Sequence, residues 1–181
     1  EMGLLCALVA ALILAVVSIM RKTLKTESAV EDRLGTTLLG SIYYESKNRT
    51  FKAKLSQKVK VLLITSPIIS TRFIEAINNI RIKMEYEHER NPEKNVYMIT
   101  SVCENEGKST VALNLALSFA RDGKKVIIID ADMRKPAICK MLDIPRENVV
   151  DFIKLLQGEC GLDEVLYREE KLGLDIIMST K

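Results

Sequence analysis

Apolar positions along this chain fall into three patterns, and each predicts a different kind of element. Residues 3–20 (GLLCALVAALILAVVSIM) are apolar throughout and carry no charge. Between Thr71 and about Glu89, Phe73, Ile74, Ile77, Ile80 and Met84 recur at helical spacing with charged residues elsewhere, which predicts an amphipathic helix ended by Asn91-Pro92. The third pattern is a set of short β-rich runs. KVLLIT (60–65), stopped by Ser66-Pro67, reads as a strand or extended arm, and VYMIT (96–100) reads as a strand. VIII (126–129) is expected to be buried on both faces of a parallel sheet, and LDIIM (174–178) begins another strand. Residues 109–121 are apolar nearly all round through Val111, Leu113, Leu115, Leu117 and Phe119, so that helix should be buried until Asp122-Gly123 ends it. Residues 136–142, 149–156 and 162–166 read as short helices, as does 26–33, which is followed by an extended piece at 38–42.

The first run has 18 residues and would measure about 27 Å as a helix, close to the thickness of a bilayer core. Arg21, Lys22 and Lys25 follow it directly, and basic residues at one end of an apolar span mark the cytoplasmic side. A signal peptide would have the opposite order, with its charges ahead of the apolar run. A buried core helix would show a polar face, and only Ser18 is polar here. Residues 1–20 are therefore expected to be a transmembrane helix, with the rest of the chain in the cytoplasm.

Charge adds a second region. Residues 21–60 hold ten basic and four acidic side chains, a local net charge of +6, and 47–60 has no acid at all. Such a basic juxtamembrane linker suits an anionic lipid surface, although a solvated linker fits equally. Over the whole chain, 27 basic and 24 acidic residues are too evenly balanced to indicate a nucleic-acid partner. One His and four Cys without a C-x-x-C pair leave no zinc or iron–sulfur ligand set. At 181 residues there is room for one α/β domain with an appendage but not for two full domains. The chain begins at Glu1 rather than Met, so its start is expected to be internal to a longer protein.

The strongest chemical signal lies between the strand at 96–100 and the helix at 109–121. There the loop Thr100-Ser101-Val102-Cys103-Glu104-Asn105-Glu106-Gly107-Lys108-Ser109-Thr110 has the context of a phosphate-binding loop. Such a loop needs backbone N–H groups converging at a helix N-terminus, a Lys for the β/γ-phosphates and a hydroxyl for Mg²⁺. Gly107, Lys108 and Ser109 meet the last requirements. The strict G-x-x-x-x-G-K-[ST] pattern fails, because Val102 stands at its first Gly; Asn105, tolerant of left-handed backbone, is a partial substitute. Cys103, Glu104, Asn105, Glu106, Gly107, Lys108, Ser109 and Thr110 are the expected nucleotide-binding residues.

A second motif, VIIIDADMRKP (126–136), delivers Asp130 and Asp132 at the C-terminal end of a strand, where ligands bind in open α/β sheets. There the carboxylates would lie near Mg²⁺ and the γ-phosphate, with Arg134 and Lys135 adding positive charge; alternatively Asp130 merely caps the strand end. The fold class expected is α/β, a partial doubly wound P-loop NTPase sheet preceded by one transmembrane helix. Its parts would be residues 1–20, the linker 21–60, and a C-terminally incomplete domain at 61–181.

ENEGKST, NLAL (114–117) and VIIIDADMRKP together resemble the bacterial tyrosine kinases of capsular and exopolysaccharide assembly, in which a membrane-anchored chain-length regulator is joined to a cytoplasmic P-loop kinase. Residues 23–42 are similar to the stretch after that regulator's last span. The resemblance implies ATP and Mg²⁺ as ligands, Lys108 on the phosphates, Ser109 and Asp132 (with Asp130 beside them) at the metal, and Asp130 as base for a tyrosine hydroxyl. It also implies a site in the cytoplasmic membrane, a polysaccharide polymerase and export machinery as partner, and ring-like self-association through a helix motif E-x-x-R-x-x-R. Here Glu75, Asn78 and Arg81 hold those positions, so the middle Arg is missing. The family's further acidic motif, an apolar strand ending in Asp-x-Pro, and its C-terminal tyrosine cluster do not occur in these residues. Two other functions stay open: a non-catalytic regulator of polysaccharide chain length, and a partition-type P-loop ATPase. The latter would carry a Lys where Glu104 stands.

Overall fold

The computed structural model describes residues 27–45 and 61–180, together with 3, 6, 7 and 9–13 near the start. The described chain forms two compact units that divide after Leu38. No helix among the described residues is long and apolar enough to cross a membrane. Of the span expected over residues 1–20, positions 1, 2, 4, 5, 8 and 14–20 lie outside the described residues, as do 21–26 and 46–60 of the basic linker.

In the first unit, α1 (Glu27–Leu34) matches the short helix expected there. Gly35, at φ +60°, donates its N–H to Glu31 O (2.9 Å), and Leu38 N donates to Glu31 Oε1 (3.0 Å), so one glutamate closes the helix end and the turn beyond it.

The second unit is built around two helices laid on a small sheet. In α2 (Thr71–Arg90), Ser70 accepts from Phe73 N as N-cap, and Phe73, Ile77, Ile80 and Met84 form the buried stripe that the sequence pattern predicts. In α3 (Lys108–Arg121), residues 113–118 are all buried, as an all-round apolar helix should be. Ser118 Oγ donates to Asn78 Oδ1 (2.7 Å) and Arg81 Nη1 lies 3.1 Å from Asp122 Oδ2, so the two helices run side by side in the same direction. Gly40 is needed where residues 39–45 pass α2, because a Cβ there would stand 2.8 Å from Ile80 Cγ1.

Three strands form a sheet in the order β1-β3-β2. β1 (Ile127–Ile129) pairs in parallel with β3 (Leu174–Ile177), Ile128 opposite Ile176. β2 (Leu166–Glu169) pairs antiparallel with β3, Leu166 opposite Ile177. Three short helices, α4 (Ile138–Met141), α5 (Phe152–Leu156) and α6 (Leu162–Val165), and a 3₁₀ turn (Arg146–Asn148) fill the chain between β1 and β2. The core lies between the helices and one sheet face, where Ile77, Leu113, Leu117, Ile176 and Met178 are fully buried. Each such side chain contributes about 1.5–3 kcal/mol relative to exposure.

Three sequence expectations need correction. Residues 126–129 are not buried on both faces: Ile128 faces the core, whereas Ile127 and Ile129 are about half exposed, since no described element packs on that side. An all-apolar run of four residues cannot report which of its alternating faces is covered. Residues 96–100 carry no ladder, and Val96 and Met98 are nearly fully exposed; only Ile99 packs on the core, while the Tyr97 hydroxyl donates to Met84 O (3.3 Å). Residues 60–65 form no strand in their described part (61–65), which runs into a turn. Asn114 of α3 takes the place of a neighbouring strand there, accepting from Ile64 N (2.7 Å) and donating to Leu62 O (2.7 Å). β2 was not expected as a strand at all.

Candidate functional site

The loop entering α3 has the backbone that an anion cradle requires. Asn105 (φ +63°) and Gly107 (φ +92°) both occupy the left-handed region, and a Cβ at Gly107 would meet nothing within 4 Å, so the space in front of the loop is open. Glycine is nevertheless the residue suited to that φ, which strains any other side chain. The amides of Lys108, Ser109 and Thr110 open a 14-residue helix and have no intrahelical acceptor, so they present both donors and the positive end of the helix dipole. The loop also bonds to itself: Cys103 N donates to Glu106 Oε2 (2.9 Å) and Ser101 Oγ to Cys103 O (2.9 Å).

Lys108 and Asp132 meet across this loop, Nζ to Oδ2 at 2.6 Å. The contact raises the Lys108 pKa, first through the hydrogen bond that the ammonium donates to Asp132 and against some desolvation, with Asp130 and Glu104 adding their fields. It lowers the Asp132 pKa, helped by the Lys135 amide donating at 3.0 Å to Oδ1. Farther out, Lys135 Nζ lies 2.5 Å from Glu104 Oε2, an exposed pair that ties the second motif to the loop but adds little stability.

Asp130 has a different environment. It is 4% exposed, its Oδ2 accepts from Ala137 N (2.8 Å) and Ile138 N (2.9 Å), and its Oδ1 accepts from Asp132 N (3.3 Å). The carboxylate therefore holds the 130–138 turn and the start of α4. The sequence carries no mark of this, because the partners are backbone amides seven and eight residues on.

Of the expected site residues, Lys108 and Asp132 are in contact, Ser109 and Thr110 lie in the first turn of α3, and Asp130 stands directly behind Asp132. Cys103, Glu104, Asn105 and Glu106 form the exposed outer arm of the loop, and Arg134 is exposed beside it. The amides that open α3, the Lys108–Asp132 pair and the neighbouring Ser109 hydroxyl are a set of groups that fits a nucleotide polyphosphate with Mg²⁺. Among the described residues no cluster of three His, Cys, Asp or Glu could hold a metal by itself.

A family model described as "ParA: NUBPL iron-transfer P-loop NTPase" matches residues 93–156, the stretch that contains both motifs. Tyrosine-protein kinase YwqD of Bacillus subtilis is 38% identical over 105 residues, 58% of this chain and 43% of YwqD. A putative tyrosine-protein kinase in the cps region of Klebsiella pneumoniae is 32% identical over 184 residues, 97% of this chain and 24% of that protein. Residues 93–156 thus match a ParA-type P-loop NTPase, and the chain is similar to proteins named bacterial tyrosine kinases. Its fold agrees with that of the kinase domain of Escherichia coli tyrosine kinase ETK, at a TM-score of 0.65 and 23% identity over 86% of this chain and 59% of that one. The chain thus spans less than half the length of these two curated relatives.

The Glu75–Arg81 face of α2, expected to mediate self-association, is partly engaged inside the unit. Arg81 is 13% exposed and bonds Glu85 at 2.6 Å as well as Asp122, Asn78 accepts from Ser118, and Glu75 is exposed.

Proposed function

We propose that this chain is the nucleotide-binding part of a membrane-anchored protein-tyrosine kinase that phosphorylates itself and regulates capsular or exopolysaccharide polymerisation and export. The observation that carries the proposal is the meeting of Lys108 and Asp132 at 2.6 Å over an open loop with Asn105 and Gly107 in left-handed backbone. In this reading the amides at the start of α3 and Lys108 bind the phosphates, and the Ser109 hydroxyl and Asp132 hold Mg²⁺, with Asp130 beside them. The bound ion would neutralise charge on the β- and γ-phosphates. Asp130 is the candidate base on the family resemblance, but its three backbone donors also suit a positioning role: it sets Asp132 and the turn that carries Arg134. The names of the Bacillus and Klebsiella relatives support the kinase assignment, as does that of ExoP of Rhizobium meliloti, a succinoglycan biosynthesis transport protein 29% identical over 122 residues, for the polysaccharide role. Membrane anchoring rests on the uncharged run at 3–20 and its basic flank.

The test is full-length protein incubated with Mg-ATP and probed for phosphotyrosine. Lys108→Met should abolish the signal; an unchanged signal in that variant would exclude the assignment. The isolated 181-residue chain is expected to show weak or no turnover. A partition-type ATPase is the second reading, favoured by the ParA-type match and by a putative septum site-determining protein MinD of Mesostigma viride, 31% identical over 91 residues. It predicts ATP hydrolysis without phosphotyrosine.

A further inference from the structure

The five tyrosines of the chain sit in very different settings. Tyr86 lies within α2 with the Arg90 guanidinium 5.7 Å from its ring centre, the Tyr97 hydroxyl is bonded to Met84 O, and Tyr167 pairs within β2 opposite Ile176. A phosphoryl-transfer site needs a hydroxyl in water on backbone that can be drawn out as an extended segment. Tyr43 and Tyr44 alone among the five meet both conditions, at 69% and 93% exposure on residues 37–45, which form neither helix nor strand.

Their position is also fixed. Ser70 Oγ donates to Glu45 Oε2 (2.6 Å), which pins the end of this segment to the start of α2. Because α2 and α3 run the same way, that start lies at the same end of the helix layer as the Gly107–Lys108 loop. Tyr43, Tyr44, Glu45, Ser70 and Arg72 line one open cavity of about 720 Å³. A phosphate added to either hydroxyl would share this cavity with a guanidinium, the side chain best suited to a dianionic group.

We infer that Tyr43 and Tyr44 are a tyrosine-phosphorylation site of this chain, with Arg72 as the cation that receives the added phosphate. The inference rests on the kinase reading given above. In the reaction the tyrosine oxygen bonds to the γ-phosphorus of ATP as the bond from that phosphorus to the β–γ bridging oxygen breaks. The phenol proton passes to a carboxylate and then to water, and ADP leaves.

The experiment is phosphopeptide mapping by mass spectrometry of full-length protein after incubation with Mg-ATP, beside Tyr43→Phe/Tyr44→Phe and Arg72→Ala. The expected result is phosphate on the Tyr43-Tyr44 peptide, lost in the double Phe variant while ATP hydrolysis is unchanged. Arg72→Ala should leave the site modified but make its phosphate more readily removed by a tyrosine phosphatase. Phosphotyrosine at other positions with residues 43–44 unmodified would overturn this inference and leave the kinase reading standing. No phosphotyrosine anywhere would overturn both. Equal phosphatase sensitivity in wild type and Arg72→Ala would remove Arg72 from the proposal.

Discussion

Lys108 Nζ sits 2.6 Å from Asp132 Oδ2, so the cation expected on the phosphates is already paired with the carboxylate expected at the metal. Nucleotide binding must exchange that partner for phosphate oxygens. Asp132→Asn removes the competitor, and should tighten nucleotide binding measured in EDTA by about two- to five-fold, the scale of a partly exposed ion pair. The same change should lower Mg²⁺-dependent turnover by on the order of 10²-fold or more. Fluorescent-nucleotide titrations with and without Mg²⁺ check the opposite signs; a loss of affinity in EDTA would contradict the exchange.

Asn114 provides a stability test. Its side chain serves Ile64 N, Leu62 O and Thr110 O in a fully buried position. Asn114→Ala leaves a backbone donor and acceptor without partners, a cost of about 2–4 kcal/mol in urea unfolding. Asn114→Leu, with better apolar volume, should recover little of it.

Asp130→Ala should destabilise the fold by about 1–3 kcal/mol, because the amides of Ala137 and Ile138 lose their acceptor. Asp130→Asn keeps one acceptor oxygen and should restore most of the stability. If Asn restores stability but not phosphotyrosine, the charge of Asp130 is needed for the reaction; if both return, its role is positional.

Acid sensitivity follows from Asp151. Burial raises its pKa, but donors from the Thr180 hydroxyl, the Ile153 and Thr180 amides and the Ser179 hydroxyl outweigh this, and the folded value is lowered. Its contribution is therefore complete above the unfolded carboxylate range of about 4 and is lost as the pH falls through the folded value. Asp132 has the same sign through Lys108. Urea midpoints should stay level from neutral pH to about pH 5 and decline below about pH 4, and Asp151→Asn should flatten that decline.

The helices were legible in the sequence because their signals are local. Ser70 and Asn91-Pro92 bracket α2, and Gly107 and Asp122-Gly123 bracket α3, so composition within a few residues sets their limits. The turn that leads into α3 at Lys108 was legible for the same reason, whereas the nucleotide roles given to it and to Asp132 stay a proposal. Strands 96–100 and 166–169 were misjudged in opposite directions because pairing depends on distant chain. Residues 96–100 have suitable side chains but no paired strand among the described residues, whereas Leu166–Glu169, half of it charged, gains its ladder from β3. The role of Asp130 was hidden likewise, since backbone amides leave no trace in composition.

The bare side of β1 carries a practical consequence for biophysical work. Ile127 and Ile129, with Val96 and Met98 also in water, give this chain a greasy surface independent of the charged Glu75 face. Beyond the apolar run at 3–20, the isolated 181 residues would thus have two further, separable sources of self-association. Contact through Ile127 and Ile129 should strengthen with added sulfate and weaken with mild detergent, whereas a ring built on Glu75 should dissociate in high salt. Sedimentation under those conditions, with Ile127→Thr/Ile129→Thr as a control, tells sticking from assembly.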